Sequence, residues 1–383
     1  MEVKQIYDIV NTITSEVIGD SIIVNEDLSN IVDVGTAIFN ADKLDKYVRK
    51  LVDHIGKVIF VNRKYSGSAP SVLMDGWEYG AVLEKVSAAL PSATENESWE
   101  LTDGASYDPN IFTKPDVSVK FFDKKTTFEI PLSIVERQAR SAFSNAEQQN
   151  GFLSMLYMSV DNSATVKTDE LIMRTINNFI GETFYNLNSG GTYSTGNTRA
   201  VNLLSLYNTR YSESLTAANA ITDPKFIRFA VFTMGLYKSR ISKMSKLFNM
   251  GGQPRFTPDD RLHFILLSDF AAAADVFLQS DTFHEEFTKL PKAETVPFWQ
   301  GSGTDYGFSD VSAINVKTAD GHTVTPSGIL GVMFDRDALG VCNIDRRVTT
   351  NYNGKAEFWN SWYKFDSGYF NDFNENFIVF YVA

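Results

Sequence analysis

One stretch constrains this chain more than any other: residues 131–181, the longest span with helical periodicity and no interior proline. Two Ser-x-x-Glu starts, Ser133 to Glu136 and Ser144 to Glu147, match a capping box, in which hydroxyl and carboxylate satisfy the first free amides of a helix. The pattern predicts three helices. The first carries Leu132, Val135, Ala139, Ala142 and Phe143 on one stripe, and the second Phe152, Met155, Leu156 and Val160. The third carries Ile172, Met173, Ile176, Phe179 and Ile180 and closes at Gly181. If the last two are continuous they make a rod roughly 45 Å long, at about 1.5 Å per residue. Such a rod suits something larger than a compact enzyme core.

Around it, 383 residues are enough for a substantial core in two or three lobes, and an apolar content of 43% against 21% charged marks a globular chain. A net charge of −12 argues against a dedicated nucleic-acid binder, because neutralising phosphates needs concentrated Lys and Arg. The single cysteine, Cys342, excludes an intramolecular disulfide and suits a reducing compartment. The N-terminus lacks a signal-peptide pattern, and no run is long enough to span a bilayer, so no membrane partner is expected. Aromatic residues are abundant, which fits heavy subunit contact and a large core equally.

In order, residues 1–19 read as an amphipathic helix with Ile6, Ile9, Val10 and Ile13 on one side, and residues 43–55 as a second helix ended by Gly56. Residues 57–63 are strand-like. Through residue 130 there is then little to build a core with: a Gly/Ser/Pro-rich entry at 66–75, a short helix over 81–89, and turns at Asp103-Gly104 and Asp108-Pro109. Residues 115–130 alternate through Val117, Val119 and Phe121 and resume with Phe128 and Ile130, predicting a long hairpin. Such a ribbon is marginal alone in water and needs a neighbouring surface. A Gly/Ser/Thr/Asn loop follows Gly181. Residues 223–250 read as a helix with Phe226, Ile227, Ala230, Met234, Tyr237, Ile241, Met244 and Phe248 in register, stopped by Gly251-Gly252. Residues 262–267 read as a buried strand, and Asp269 as the cap of the next helix, which suggests an α/β lobe. Residues 329–334 and 339–344 flank Asp335-Arg336-Asp337 as a hairpin. The aromatic tail, with Phe358, Trp359, Trp362, Tyr363, Phe365, Tyr369, Phe370 and Phe373, is expected to pack against the long helices.

Reactive constellations are not legible. His54, His263, His284 and His322 share no ligand spacing, so no metal is expected. Cys342, in an apolar run, reads as a buried thiol and not a nucleophile. The Gly-rich pieces at 189–192 and 301–308 match neither the phosphate-loop nor the dinucleotide spacing, and there is no nucleophile elbow. Asp259-Asp260 and Glu285-Glu286 are adjacent pairs that do not converge. The basic ladder Lys238, Arg240, Lys243 and Lys246 reads first as a solvated face and second as a contact for nucleic acid or an acidic partner. The expectation is no catalytic residue, no cofactor and no metal site.

These pieces, in this order, resemble the major capsid proteins of tailed bacteriophages, which share the Johnson (Hong Kong ninety-seven type) α+β fold. The opening IYDIVN, VDVGTAIFN at residues 32–40 and LVDHIGKVIF at 51–60 look like capsid proteins of small podophages of the phi-twenty-nine type. So do residues 259–283 and 328–341. The resemblance implies an N-terminal arm with docking helix (1–56), an extended E-loop (57–130), a peripheral domain with a spine helix (131–190 plus 343–383) and an axial domain (191–342). It implies a shell subunit that closes into pentamers and hexamers of an icosahedral or prolate head, assembled in the bacterial cytoplasm around double-stranded DNA that it touches non-specifically. A portal, or connector, would complete the head. No immunoglobulin-like or fused scaffolding module is recognisable, so a separate scaffolding protein is expected, and no crosslinking pair is predicted. Serial closure in fives and sixes needs compliant joints, for which residues 66–71 and 188–197 are candidates. An encapsulin-like nanocompartment shell is the alternative of the same fold; an enzyme with an uncommon site and a fibre-like binding module are alternatives of other classes.

Overall fold

The computed structural model describes residues 11–15, 17, 46, 69–74, 82–93, 95, 102–106, 108, 110, 112–135, 146–187, 199–279, 293–300 and 307–383. In chain order its strands are β1 (Leu73–Met74), β2 (Leu83–Ala88), β3 (Val117–Phe122), β4 (Lys125–Val135), β5 (Ala200–Asn202), β6 (Leu262–Leu267) and β7 (Glu294–Val296). They continue as β8 (Val316–Lys317), β9 (Thr323–Val324), β10 (Ile329–Asp335), β11 (Leu339–Asn353), β12 (Phe358–Asn371) and β13 (Phe377–Tyr381). The α-helices are α1 (Ala146–Leu187), α2 (Leu203–Tyr211), α3 (Ala217–Ala220), α4 (Pro224–Ile241), α5 (Ser268–Gln279) and α6 (Phe308–Val311). The chain divides into two units, residues 1–78, 125–172 and 341–368, and residues 79–124, 173–340 and 369–383.

The second and third helices predicted from the sequence are one helix, α1, whose 42 residues span about 63 Å at ~1.5 Å each. Gly181 does not end it. A Cβ there would run into Cγ2 of Val316, so the glycine serves close approach of β8 and not chain reversal.

The first unit is built on a sheet of order β1-β11-β12-β4. β12 and β4 pair antiparallel from Phe358↔Val135 to Gly368↔Lys125, and the pleat sorts their side chains. Trp359, Ser361, Tyr363, Phe365 and Ser367 are buried on one face, where Phe365 meets its cross-strand partner Phe128 at 5.2 Å between ring centroids. The opposite face carries polar pairs in the same register: Lys364 with Glu129 at 3.3 Å, and the Thr127 hydroxyl donating to Asp366 at 2.6 Å. The first predicted helix is therefore corrected, since residues 131–135 are the end of β4. Ser133 does not cap anything; its hydroxyl donates to Asn360 Oδ1 at 2.6 Å. Leu132 and Ile134 fit an alternating pattern as well as a helical one, and Pro131 is tolerated because β4 is an edge strand. Residues 136–143 lie outside the described residues.

The second unit holds a sheet of order β5-β13-β10-β6-β7. All residues of β10 and β13 are buried, which needs cover on both faces. On one face Ile378 and Phe380 join Phe226, Ile227, Ala230, Met234 and Phe270 of α4 and α5. On the other, Phe377 stacks on Phe179 of α1 at 4.0 Å and Tyr381 meets Phe184 edge-on at 5.0 Å. The aromatic tail thus packs on the long helix as the sequence suggested, and residues 262–267 are the strand it predicted.

Four further readings need correction. Residues 83–88 are strand β2 and not a helix; half-buried and exposed residues alternate along it. α4 ends at Ile241, whose carbonyl accepts from Thr257 N, and Ser245 pairs with Arg255. Phe248 stays buried because its carbonyl binds Phe377 N, so tertiary pairing overrides the local period. β10 and β11 turn at Asp335–Ala338 but enter different sheets, so they are not a paired hairpin. Asp269 sits inside the first turn of α5, after Ser268. Ile13 is buried as its stripe required. The strand expected over 57–63 and the joint at 188–197 lie outside the described residues, as does all but Lys46 of the helix expected over 43–55.

Candidate assembly interface

Within the second unit, β2 and β3 form an antiparallel ribbon in the register Leu83↔Phe122, Lys85↔Lys120, Val86↔Val119 and Ala88↔Val117. The predicted strand over 115–130 is thereby split at Asp123-Lys124: β3 pairs with β2, and β4 belongs to the sheet of the first unit. A two-stranded ribbon has two faces, and here their chemistry differs sharply.

The inner face carries Leu83, Lys85 and Ser87 opposite Phe122, Lys120 and Ser118. Phe122 packs on Phe370 with centroids 5.1 Å apart, and the Ser87 and Ser118 hydroxyls share a hydrogen bond of 2.9 Å. Lys85 Nζ donates to Asp372 Oδ2 at 2.8 Å, Glu375 Oε1 at 2.7 Å and the Asp337 carbonyl at 3.2 Å. Lys120 Nζ donates to the other Asp372 oxygen at 2.7 Å. One carboxylate, 2% exposed, therefore clamps both strands, one lysine to each oxygen. Burial pushes the Asp372 carboxyl up, but the hydrogen bonds from Lys120 and Lys85 outweigh it and hold it below the usual carboxylate range. Arg255 adds a third cation 3.4 Å from Glu375.

The outer face is apolar apart from Glu84, which stands opposite Phe121, and among the described residues it is exposed. Val86, Val117, Val119 and Phe121 lie on it, with Phe121 65% exposed, and Val82 precedes it in the same phase. Toward the tip, Leu90 is exposed and Phe112 is 85% exposed. The tip also holds the predicted turns: Gly104 takes a φ of +82°, with Ala105 N donating to the Thr102 carbonyl, and Asn110 N donates to Asp108 Oδ1 at 2.9 Å. Spacing alone had singled out Val117, Val119 and Phe121; the clamp was missed because Lys85 and Asp372 are 287 residues apart.

Other candidate residues are dispersed. Cys342 is buried, with Sγ 3.7 Å from the Gly368 carbonyl. His322 stacks on Tyr185 at 4.9 Å, whereas His263 lies on β6, where burial and Arg336 lower its pKa and Asp335 opposes them. His54, His284, Glu285 and Glu286 lie outside the described residues, as do the Gly-rich residues 189–192 and 301–306. Of the basic ladder, only Lys238 and Arg240 are on α4, and Lys238 pairs with Asp259 at 3.1 Å. Among the described residues no group of three or more His, Cys, Asp or Glu could hold a metal, and no helix is long and apolar enough to cross a membrane.

The sequence model of the Phi29-like phage major capsid protein family matches residues 10–381. The major capsid protein of Bacillus phage GA-1 is 26% identical over 198 residues, a match covering 48% of this chain and 39% of that relative's length. The capsid structure of Staphylococcus phage Andhra aligns at a TM-score of 0.50 and 10% identity over 84% of this chain and 87% of that one, which shows a phage-capsid fold of the Hong Kong ninety-seven type. The cyanophage P-SCSP1u capsid aligns at 0.47 and 10% identity over 85% and 92%. The chain belongs to the Phi29-like phage major capsid protein family, a structural protein of the phage head and not the shell of a cellular nanocompartment.

Proposed function

We propose that this chain is the repeating tile of an icosahedral or prolate head, closing into pentamers and hexamers around double-stranded DNA, and that it catalyses no reaction of its own. The observation that carries this reading is the ribbon: a clamped inner face and a largely apolar outer face for another copy to cover, since among the described residues Val86, Val117, Val119 and Phe121 all remain exposed. A ribbon of two strands gains stability only from a further surface, and obligate interfaces are built from such apolar area.

The lobe layout belongs to this proposal, with two amendments from strand pairing. We take the E-loop to end at Lys124 and β13 to belong with the axial lobe, readings supported by the pairing of β4 with β12 and of β13 with β10. Assembly in the host cytoplasm, a separate scaffolding protein, a portal and non-specific DNA contact complete the reading; the acidic balance of −12 favours a wall that touches the genome without holding it tightly. Val86→Glu with Val119→Glu tests it. The double variant should remain a folded subunit by circular dichroism and yield no shells in negative-stain images. Shells at normal yield would overturn the role given to the ribbon.

A further inference from the structure

A second surface lies on the helical side of the second unit. α2 starts on Asn202, whose side chain accepts from Ser205 N at 3.0 Å, and stops at Ser212 in the left-handed region. α4 starts on Asp223, which accepts from Phe226 N at 2.9 Å. Tyr207 locks the two helices together through Phe226 and Phe229, each 5.6 Å away. With both helices capped and pinned, a groove of about 510 Å³ between them is a fixed feature.

Its composition is selective. Leu206, Phe229, Leu236 and Tyr237 make an apolar floor, and among the described residues Arg210 and Arg240 are its only charged lining residues. Arg210 lies 5.9 Å from the Phe229 ring and Arg240 lies 5.1 Å from the Tyr237 ring, so both guanidiniums rest on aromatic faces at the rim. Phe229 and Arg240 are eleven positions apart on α4, roughly 16 Å at ~1.5 Å per residue, which is three helical turns. Phe232, more than half exposed, extends the apolar strip beside Leu236. Among the described residues no carboxylate lines the groove, although the chain as a whole is acidic.

We propose that the α2–α4 groove docks an acidic amphipathic helix presented by another protein: apolar side chains at i, i+3 or i+4 and i+7 on the floor, and carboxylates near each end bridging to Arg210 and Arg240. Helix-in-groove recognition uses anchors at this spacing, and planar guanidiniums bind carboxylates bidentately. DNA is the lesser candidate, because a floor of Leu206, Phe229 and Leu236 between two cations has no use for a phosphate backbone. The inference stands independently of the ribbon's role.

The probe is a synthetic helix of about 14 residues built from Ala, Leu and Glu with that leucine spacing, titrated by fluorescence anisotropy onto the full-length subunit. The acidic peptide should bind, weaken as salt rises, and lose about tenfold or more in affinity against Arg210→Glu with Arg240→Glu. Both residues are exposed, and circular dichroism of the variant checks its fold. A lysine-for-glutamate peptide should bind the double variant better than the unaltered chain, a swap that misfolding could not produce. Equal binding of both peptides to the unaltered chain, no binding by either, or a duplex oligonucleotide displacing the acidic peptide would each overturn the proposal.

Discussion

Strands β13 and β2 are similar in length and end in opposite circumstances. In β13 every side chain from Phe377 to Tyr381 is buried, shared between α1 on one side and the α4–α5 layer on the other. In β2 burial alternates, and the outward half of each pair faces solvent. The first has its core within the subunit, whereas the second is left with half a core. Where apolar side chains go unsatisfied inside a folded chain, the missing partner is outside it.

That contrast can be broken in a graded way. Truncating the covered region should cost most: Phe377→Ala removes a ring stacked on both Phe179 and Phe334, and about 3–5 kcal/mol of stability measured by chemical denaturation. Asp372→Asn should cost about 2 kcal/mol, less than a fully buried pair, because Lys85 and Lys120 are partly exposed and can rehydrate. Its signature is local, with faster hydrogen exchange in β2 and β3 and unchanged exchange in β10.

Acid should act on the same clamp. The folded Asp372 carboxyl titrates below its unfolded value, so its contribution is complete above about pH 4 and is lost as pH falls through the lower folded value. Protection of the ribbon amides, taken relative to the intrinsic exchange rate at each pH, should be insensitive between about pH 5 and pH 8, and a loss of protection within that window would contradict the clamp. The smallest effect on the subunit comes from the uncovered face: Val86→Ser with Val119→Ser should alter its stability by no more than about 0.5 kcal/mol while lowering shell yield.

What the sequence made legible follows from where the deciding forces act. The helical period of α1, though not its unbroken run through Gly181, together with β6, the turns at Asp103-Gly104 and Asp108, and the packing of the tail on α1, rests on local period, turn chemistry or sheer apolarity and could be read directly. Residues 131–135 and 83–88 fit either period, and only pairing with β12 and β3 makes them strands. The length of α4 was overstated because Phe248 keeps helical phase while a bridge between Ser245 and Arg255 redirects the chain. The outer face of the ribbon was visible as alternation; its clamp depends on residues brought together across most of the chain, which spacing does not encode.

The central claim is that another copy covers the outer face of β2 and β3. Val119→Cys tests it most directly, since the sole native thiol, Cys342, is buried. Maleimide labelling should proceed readily on the free subunit and be blocked once shells have formed. Equal labelling of position 119 in both states would contradict the account.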